Sequence, residues 1–205
     1  MPSRLIKPLV FALCLAPMAV LFWRAFTGGL SANPIDDITD VSGTWTLRFL
    51  LIGLAITPLR RLTGWNGLIR YRRMIGLFAF AYVCLHFSTY LVFDHFFDLA
   101  AVWDDVAKRR YITAGFAAFL LLIPLAVTST TGWIRRLGGR RWAQLHRLVY
   151  VAAILGVVHF LWLVKGDDLR EPLTYAAVLA ILLASRVPAW VGARARPSPA
   201  KSATS

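Results

Sequence analysis

The sequence has 205 residues, of which 58% are hydrophobic and 16% are charged, whereas a soluble domain has about 45–50% apolar and about 25% charged residues. This composition excludes a disordered chain, argues against a water-soluble globule and indicates an integral membrane protein. The net charge of +13 is compatible with nucleic-acid binding, but in so apolar a chain basic loops that face anionic membrane lipid explain it better. We therefore expect lipid contacts and no nucleic-acid partner.

Six apolar segments follow one another along the chain, each near the length of about 20 residues that a membrane-spanning helix needs. They cover about residues 8–23, 41–59, 74–93, 111–130, 142–164 and 172–191. The first resembles a signal peptide, but bulky Phe22 and Trp23 stand where small residues precede a cleavage site, so we expect an uncleaved helix. The predicted organisation is a cytoplasmic N-terminus (1–7), a six-helix transmembrane domain (8–191) and a disordered cytoplasmic tail (192–205).

The charged residues are distributed unequally between the predicted loops. With the N-terminus placed in the cytoplasm, sixteen of the 23 Lys and Arg residues fall on the cytoplasmic side, and all ten Asp and Glu residues fall on the other side. Membrane proteins concentrate Lys and Arg in their cytoplasmic loops. The pattern therefore predicts an all-α, multi-pass bundle of six helices with both termini in the cytoplasm.

Histidine is the main candidate for chemistry inside the membrane, because ionisable residues within spans are usually functional. His86 lies 13 residues past Arg73, about 20 Å into the membrane, and His159 lies 13 residues past His146. His86 and His159 therefore have similar depths in the outer half of the membrane, whereas His146 lies near the inner face. His95 follows the third segment, and we expect it to be a solvated loop residue.

Two imidazoles on facing helices can hold haem iron in a helical bundle. The matching depths of His86 and His159 predict one haem near the outer face, with its iron held axially by both residues. His146 would hold a second haem only with a non-histidine ligand. It shares no face with His159 on an undistorted helix, since 13 residues turn through about 220°. The alternative for each histidine is a structural hydrogen bond within the bundle.

Two stretches of sequence resemble the ferric-reductase-like transmembrane family. The letters RRMIGL at 72–77, followed by LHF at 85–87, resemble the third helix of that family. The letters WAQLHRLVY at 142–150, followed by HFLW at 159–162, resemble its two-histidine helix. The resemblance extends over about residues 8–191 and implies a six-helix haem-binding bundle.

The resemblance also implies a set of haem ligands, which would be His86, His146 and His159. The larger NADPH-oxidase relatives have two histidines on the third helix, 14 residues apart, and this chain has Arg72 at the position 14 residues before His86. The expected cofactors are one haem b, with His146 as candidate ligand of a second, and FMN. No motif in the sequence locates an FMN site.

The resemblance implies an electron-transfer function in the bacterial inner membrane. The short form of the family is a b-type cytochrome that takes electrons from the quinone pool or a cytoplasmic flavin reductase. It passes them to a periplasmic molybdopterin-containing reductase that repairs methionine sulfoxide in periplasmic proteins. This chain has no GxGxxG motif and no room for a dinucleotide-binding domain, so its electrons would come from a separate donor.

Two alternative functions remain open on the sequence alone. The first is a transmembrane reductase of free ferric or cupric ions. The second is a haem-free membrane anchor or assembly subunit, in which the histidines only pack. Haem content separates the second alternative from electron transfer, and reoxidation by chelated metal without a protein partner identifies the first.

Overall fold

The computed structural model describes residues 3–164 and 169–186 of the chain, and these residues form helices joined by short turns. A 3₁₀-helix (Asn66–Tyr71) precedes the third α-helix, and a π-helical turn (Tyr90–Asp94) follows it. The α-helices are α1 (Ser3–Phe26), α2 (Pro34–Thr63), α3 (Arg72–Thr89), α4 (Leu99–Lys108), α5 (Arg110–Val127), α6 (Thr131–Leu137), α7 (Gly139–Leu145), α8 (Leu148–Leu163) and α9 (Arg170–Ala184).

Five helical segments in the described residues are long and apolar enough to cross a membrane, so the chain is an all-helical, multi-pass membrane protein. They are Ile6–Phe26, Pro34–Thr63, Asn66–Asp94, Arg110–Val127 and Gly139–Leu163. The sixth predicted segment coincides with α9, whose 15 residues are about 22 Å long against a hydrocarbon core of about 30 Å. The predicted end of this segment at 191 and the predicted tail at 192–205 lie outside the described residues. The sixth span and the orientation of the termini stay predictions.

Local sequence explains why α2 is longer than the predicted segment 41–59. The Asn33 side chain accepts a hydrogen bond from the backbone N–H of Ile35, and Pro34 occupies the first helical turn, where a missing N–H costs nothing. At the other end Gly64 adopts φ +70°, a left-handed conformation that glycine tolerates and that commonly ends helices. The polar first turn of α2 therefore belongs to the helix although hydropathy alone leaves it out.

Consecutive long helices run antiparallel, so the acidic and the basic residues lie at opposite ends of the bundle. Thr39 on α2 bonds Thr89 on α3, and Tyr111 on α5 bonds His159 on α8. The acidic end carries Asp36, Asp37, Asp40, Asp94, Asp98, Asp104, Asp105 and Glu171. The basic end carries Arg60, Arg61, Arg70, Arg72, Arg73, Arg135, Arg136, Arg140, Arg141, Arg147 and Arg186.

Small side chains bring the central helices close together. Ala79 on α3 and Ala152 and Ala153 on α8 have no exposed surface, and Leu54 on α2 is 1% exposed. Small residues at helix contacts permit close packing where lipid removes the hydrophobic driving force. The two most extensive helix pairs are α2 with α3 and α5 with α8, and they carry His86 and His159.

The first helix contains Pro17, and a tyrosine side chain of α3 bonds the α1 backbone next to it. Pro17 lacks an N–H, so it weakens the helical ladder around it. The backbone N–H of Met18 donates to the Tyr82 hydroxyl (3.2 Å), which in turn donates to the carbonyl of Cys14 (3.0 Å). The hydroxyl thus stands between two groups that would bond each other in a regular helix, a known cause of helix bending, and it attaches α1 to α3.

Replacing Tyr82 by phenylalanine is expected to lower the thermal unfolding midpoint of the detergent-solubilised protein. The variant removes the two hydrogen bonds that the buried hydroxyl makes with the α1 backbone, a loss of about 1–3 kcal/mol. Tyr175→Phe is the control, because its hydroxyl accepts one hydrogen bond from the partly exposed Arg48, and it should have a smaller effect. Equal midpoints for Tyr82→Phe and the unsubstituted protein would contradict the prediction.

Candidate functional site: a histidine pair between two helix pairs

The fold brings His86 and His159 together. His86 lies near the end of α3 and His159 near the end of α8, so both sit toward the acidic end of antiparallel helix pairs. Their ring centroids are 6.1 Å apart and their planes meet at 81°. Each ring is partly buried in the protein. The two residues that the sequence analysis placed at similar depth on separate helices therefore face one another across the bundle.

Both rings are held by the same kind of hydrogen bond. Nδ1 of His86 lies 3.0 Å from the carbonyl oxygen of Thr39, and Nδ1 of His159 lies 2.7 Å from that of Tyr111. A carbonyl oxygen only accepts hydrogen bonds, so each Nδ1 carries the hydrogen. In a neutral ring Nε2 then has a free lone pair. A backbone carbonyl on the second nitrogen is typical of metal-ligating histidines.

A glycine stands beside each ring, one helical turn after the carbonyl that the ring bonds. A Cβ on Gly43 would lie 2.9 Å from Cε1 of His86, and a Cβ on Gly115 would lie 2.7 Å from Nδ1 of His159. Any larger residue at these positions would therefore displace the imidazoles. The sequence analysis did not identify these glycines. The available signal was a glycine inside an apolar helix, which costs about 1 kcal/mol relative to alanine and so indicates a packing reason.

A cavity of about 310 Å³ lies next to the histidine pair, within the usual size range of ligand pockets. Its walls are mostly apolar and come from α2, α3, α5 and α8. Among the described residues that line it, Arg109 is the only arginine or lysine, and it lies with Asp40 and Asp94 toward the acidic end. The apolar wall residues include Leu47, Leu50, Val83, Phe87, Phe116 and Phe119.

The residues of this site fit a haem group. Imidazole nitrogens bind first-row metals at about 2.0–2.1 Å. Two such bonds, together with the distance from each nitrogen to the centre of its own ring, place the centroids of two rings on one iron about 6 Å apart. The observed separation is 6.1 Å. The free Nε2 atoms suit the haem iron, and the apolar walls suit the macrocycle. One cationic side chain, Arg109, suits the carboxylate groups of a haem.

His146 lies apart from this pair, near the basic end. It follows α7, and the helix breaks there, because α8 begins at Leu148. Its Nε2 bonds the Thr128 hydroxyl (3.1 Å), which itself donates to the carbonyl of Pro124, and its ring stacks on Trp142 with centroids 4.0 Å apart. The distortion between His146 and His159 is therefore at the start of α8. Within the described residues, His146 has hydrogen-bonding and aromatic neighbours and no second histidine opposite it.

The expectation that His95 is a solvated loop residue is wrong. Its side chain is 15% exposed, and Nε2 lies 3.3 Å from the Asp105 carboxylate. The same carboxylate accepts from the Tyr90 hydroxyl (3.0 Å) and pairs with Arg109 (2.7 Å). The sequence analysis missed this cluster because Asp105 lies on α4, a short helix after the third predicted segment that brings Asp105 back to His95 and Tyr90.

Comparison with known proteins agrees with this architecture. A family model described as "Ferric reductase like transmembrane component" matches residues 42–157, which include His86 and His146 and end two residues before His159. No solved structure gives a significant match.

Three curated relatives share the name "Protein-methionine-sulfoxide reductase heme-binding subunit MsrQ". The protein of Herminiimonas arsenicoxydans is 55% identical over 89% of this chain and 84% of its own length. That of Rhodospirillum rubrum is 56% identical over 90% and 88%, and that of Caulobacter vibrioides is 51% identical over 94% and 92%. On these grounds the chain belongs to the ferric reductase-like transmembrane family, in the group of methionine-sulfoxide reductase haem-binding subunits.

Proposed function

We propose that this protein is a b-type cytochrome subunit that carries electrons across the bacterial inner membrane to a periplasmic molybdopterin-containing methionine sulfoxide reductase. The observation that supports the proposal most directly is the facing pair His86 and His159, with both Nδ1 atoms held by carbonyls. A haem bound there would supply a one-electron iron couple. The relatives are named as subunits of a methionine-sulfoxide reductase, and this name supports the repair system in which the subunit would work.

In this proposal each part of the site has a distinct task. His86 and His159 would hold the iron through Nε2, and the carbonyls of Thr39 and Tyr111 fix the plane and the tautomer of each ring. The apolar walls keep water away, which helps to set the redox potential. Arg109, which also pairs with Asp105, would be the cation offered to the haem carboxylates. Its Nη1 donates to the Tyr111 hydroxyl, so this cation is attached to the residue whose carbonyl holds His159.

The charge distribution suggests where the partners meet the subunit. The acidic end lies next to the histidine pair, and a reductase with a basic patch would be attracted to it. The donor, either quinol or a cytoplasmic flavin reductase, would act from the basic end, which the positive-inside rule places in the cytoplasm. His146 is the candidate ligand of a second haem near that end. FMN is an expected cofactor from the family resemblance, and the proposal assigns it no residues.

The spectrum of the purified protein tests the proposal. We expect the full-length chain, expressed with ample haem and purified in mild detergent, to give a b-type reduced-minus-oxidised spectrum with at least one haem per chain by pyridine haemochrome assay. A colourless protein would favour the haem-free anchor. Rapid reoxidation by chelated ferric ions without a protein partner would favour the metal-ion reductase. A flavin released on denaturation would reveal FMN.

A further inference from the structure

One guanidinium at the basic end is buried without a carboxylate. Arg186 follows α9 and is 5% exposed. Its Nη1 donates to the Tyr150 hydroxyl (2.6 Å), its Nη2 donates to the carbonyl of Leu54, and the guanidinium lies 5.0 Å from the Tyr150 ring centroid. Its Nε has no hydrogen-bond partner in the described part of the chain. A buried charge is costly unless an opposite charge accompanies it.

Two more arginines bring positive charge to the same place. Arg72, at the start of α3, and Arg61, in the last turn of α2, both act electrostatically on Arg186. Arg61 donates only to the carbonyl of Ser185, at 3.4 Å. The side chain of Arg72 has no hydrogen bond or ion pair with the residues that the structure describes, and its charge also acts on His146. Folding therefore brings two further cations close enough to repel the charge of Arg186.

The acidic side chains that the structure describes do not supply the missing negative charge. The ion pairs that lysine and arginine make in residues 3–164 and 169–186 all lie on the acidic side of the bundle. They are Arg24–Asp37, Arg48–Glu171, Lys108–Asp104 and Arg109–Asp105. Residues 187–205 contain no Asp or Glu. The described residues therefore leave the charge of Arg186 and its neighbours open to an anionic group from another molecule.

We propose that Arg186, Arg72 and Arg61 form a binding site for a phosphate group. Guanidinium groups present several N–H donors in a planar fork that matches phosphate oxygens, and such charge-assisted bonds are stronger than neutral ones. The free Nε of Arg186 supplies a buried donor for one of these oxygens. The phosphate belongs either to an anionic lipid headgroup, which this end of the bundle would meet at the membrane surface, or to a soluble phosphorylated molecule. The site is separate from the histidine pair, so it holds whether or not the proposed electron transfer does.

Binding to two probes tests this site in the full-length, detergent-solubilised protein. The first probe is phosphatidylglycerol in mixed micelles, followed by native mass spectrometry, and the second is inorganic phosphate, followed by titration calorimetry. We expect Arg186→Gln and Arg72→Gln to weaken binding of at least one probe by about tenfold. Arg135→Gln is the matched control, because it removes the same charge from an exposed position on α6 and should leave the affinity nearly unchanged.

The two probes separate the possible sources of the phosphate. If the variants lose affinity for phosphatidylglycerol alone, the site is assigned to a lipid headgroup. If they lose affinity for inorganic phosphate, it is assigned to a soluble ligand. Equal affinities of all four proteins for both probes, or an equal loss in Arg135→Gln, would overturn the proposal. Arg72→Gln keeps the test valid if Arg186→Gln does not fold, because the Arg72 side chain makes no hydrogen bond within the described chain.

Discussion

The His159→Ala protein is expected to contain no haem at the acidic end, and His86→Ala should give the same result. Each substitution removes one of the two proposed ligands, whose ring centroids lie 6.1 Å apart, and the alanine methyl cannot bind iron. The measurement is the haem content per chain by pyridine haemochrome assay. In a chain that binds a single haem, we expect the absorption of either variant to fall to the background level.

Two other histidines provide matched controls for this experiment. His95→Ala should keep the full haem content, since His95 pairs with Asp105 and is not part of the facing pair. His146→Ala should keep the haem at the acidic end, and a fractional loss of absorption in it would reveal a second haem. Wild-type haem content in both His86→Ala and His159→Ala would refute the assignment of the pair as ligands.

Adding one methyl group beside a ring is expected to weaken haem binding without touching a ligand. In Gly115→Ala the new Cβ would lie 2.7 Å from Nδ1 of His159, closer than real Cβ atoms approach other heavy atoms. The ring must move, and its hydrogen bond to Tyr111 must lengthen. Loss of such a supporting contact lowers metal affinity by about 10–100-fold. Gly43→Ala should act in the same direction on His86 but less strongly, because its contact is 2.9 Å.

Gly76→Ala is the control for both glycine variants. It makes the same substitution inside α3, where a Cβ would have nothing within 4 Å, and alanine favours the helix more than glycine does. We expect full haem content and unchanged or higher thermal stability. The measurement is retention of haem during titration with a competing apo-haem protein, and equal retention by Gly115→Ala and Gly76→Ala would contradict the proposed contact.

The sequence was sufficient for the parts of the structure that depend on periodicity and depth. Apolar runs located the five spans. Counting residues along ideal helices placed His86 and His159 at the same depth, because a rise of 1.5 Å per residue holds for most of α3 and α8. The same counting put His146 and His159 on different faces. The structure breaks the helix at His146, between α7 and α8.

The features that sequence reasoning missed depend on contacts between distant residues. The bond between Tyr82 and α1 joins positions 64 and 68 residues apart, and nothing local in either helix indicates it. His95 looked solvated because hydropathy ends the third segment at Phe93, while the π-helical turn and α4 fold the chain back over it. Arg186 was counted as one more basic residue near a helix end, since burial cannot be deduced from charge.

The same arrangement of a backbone carbonyl and a glycine around a histidine ring occurs in both helix pairs, and this affects how the bundle assembles. Thr39 and Gly43 hold His86, and Tyr111 and Gly115 hold His159, with the same spacing of four residues, so each helical hairpin prepares its own ring independently. Neither hairpin alone offers two ligands. A haem that needs both would act as a clamp, and its binding energy would add to the association of the hairpins. Bound haem would then also indicate that the two halves of the bundle have associated.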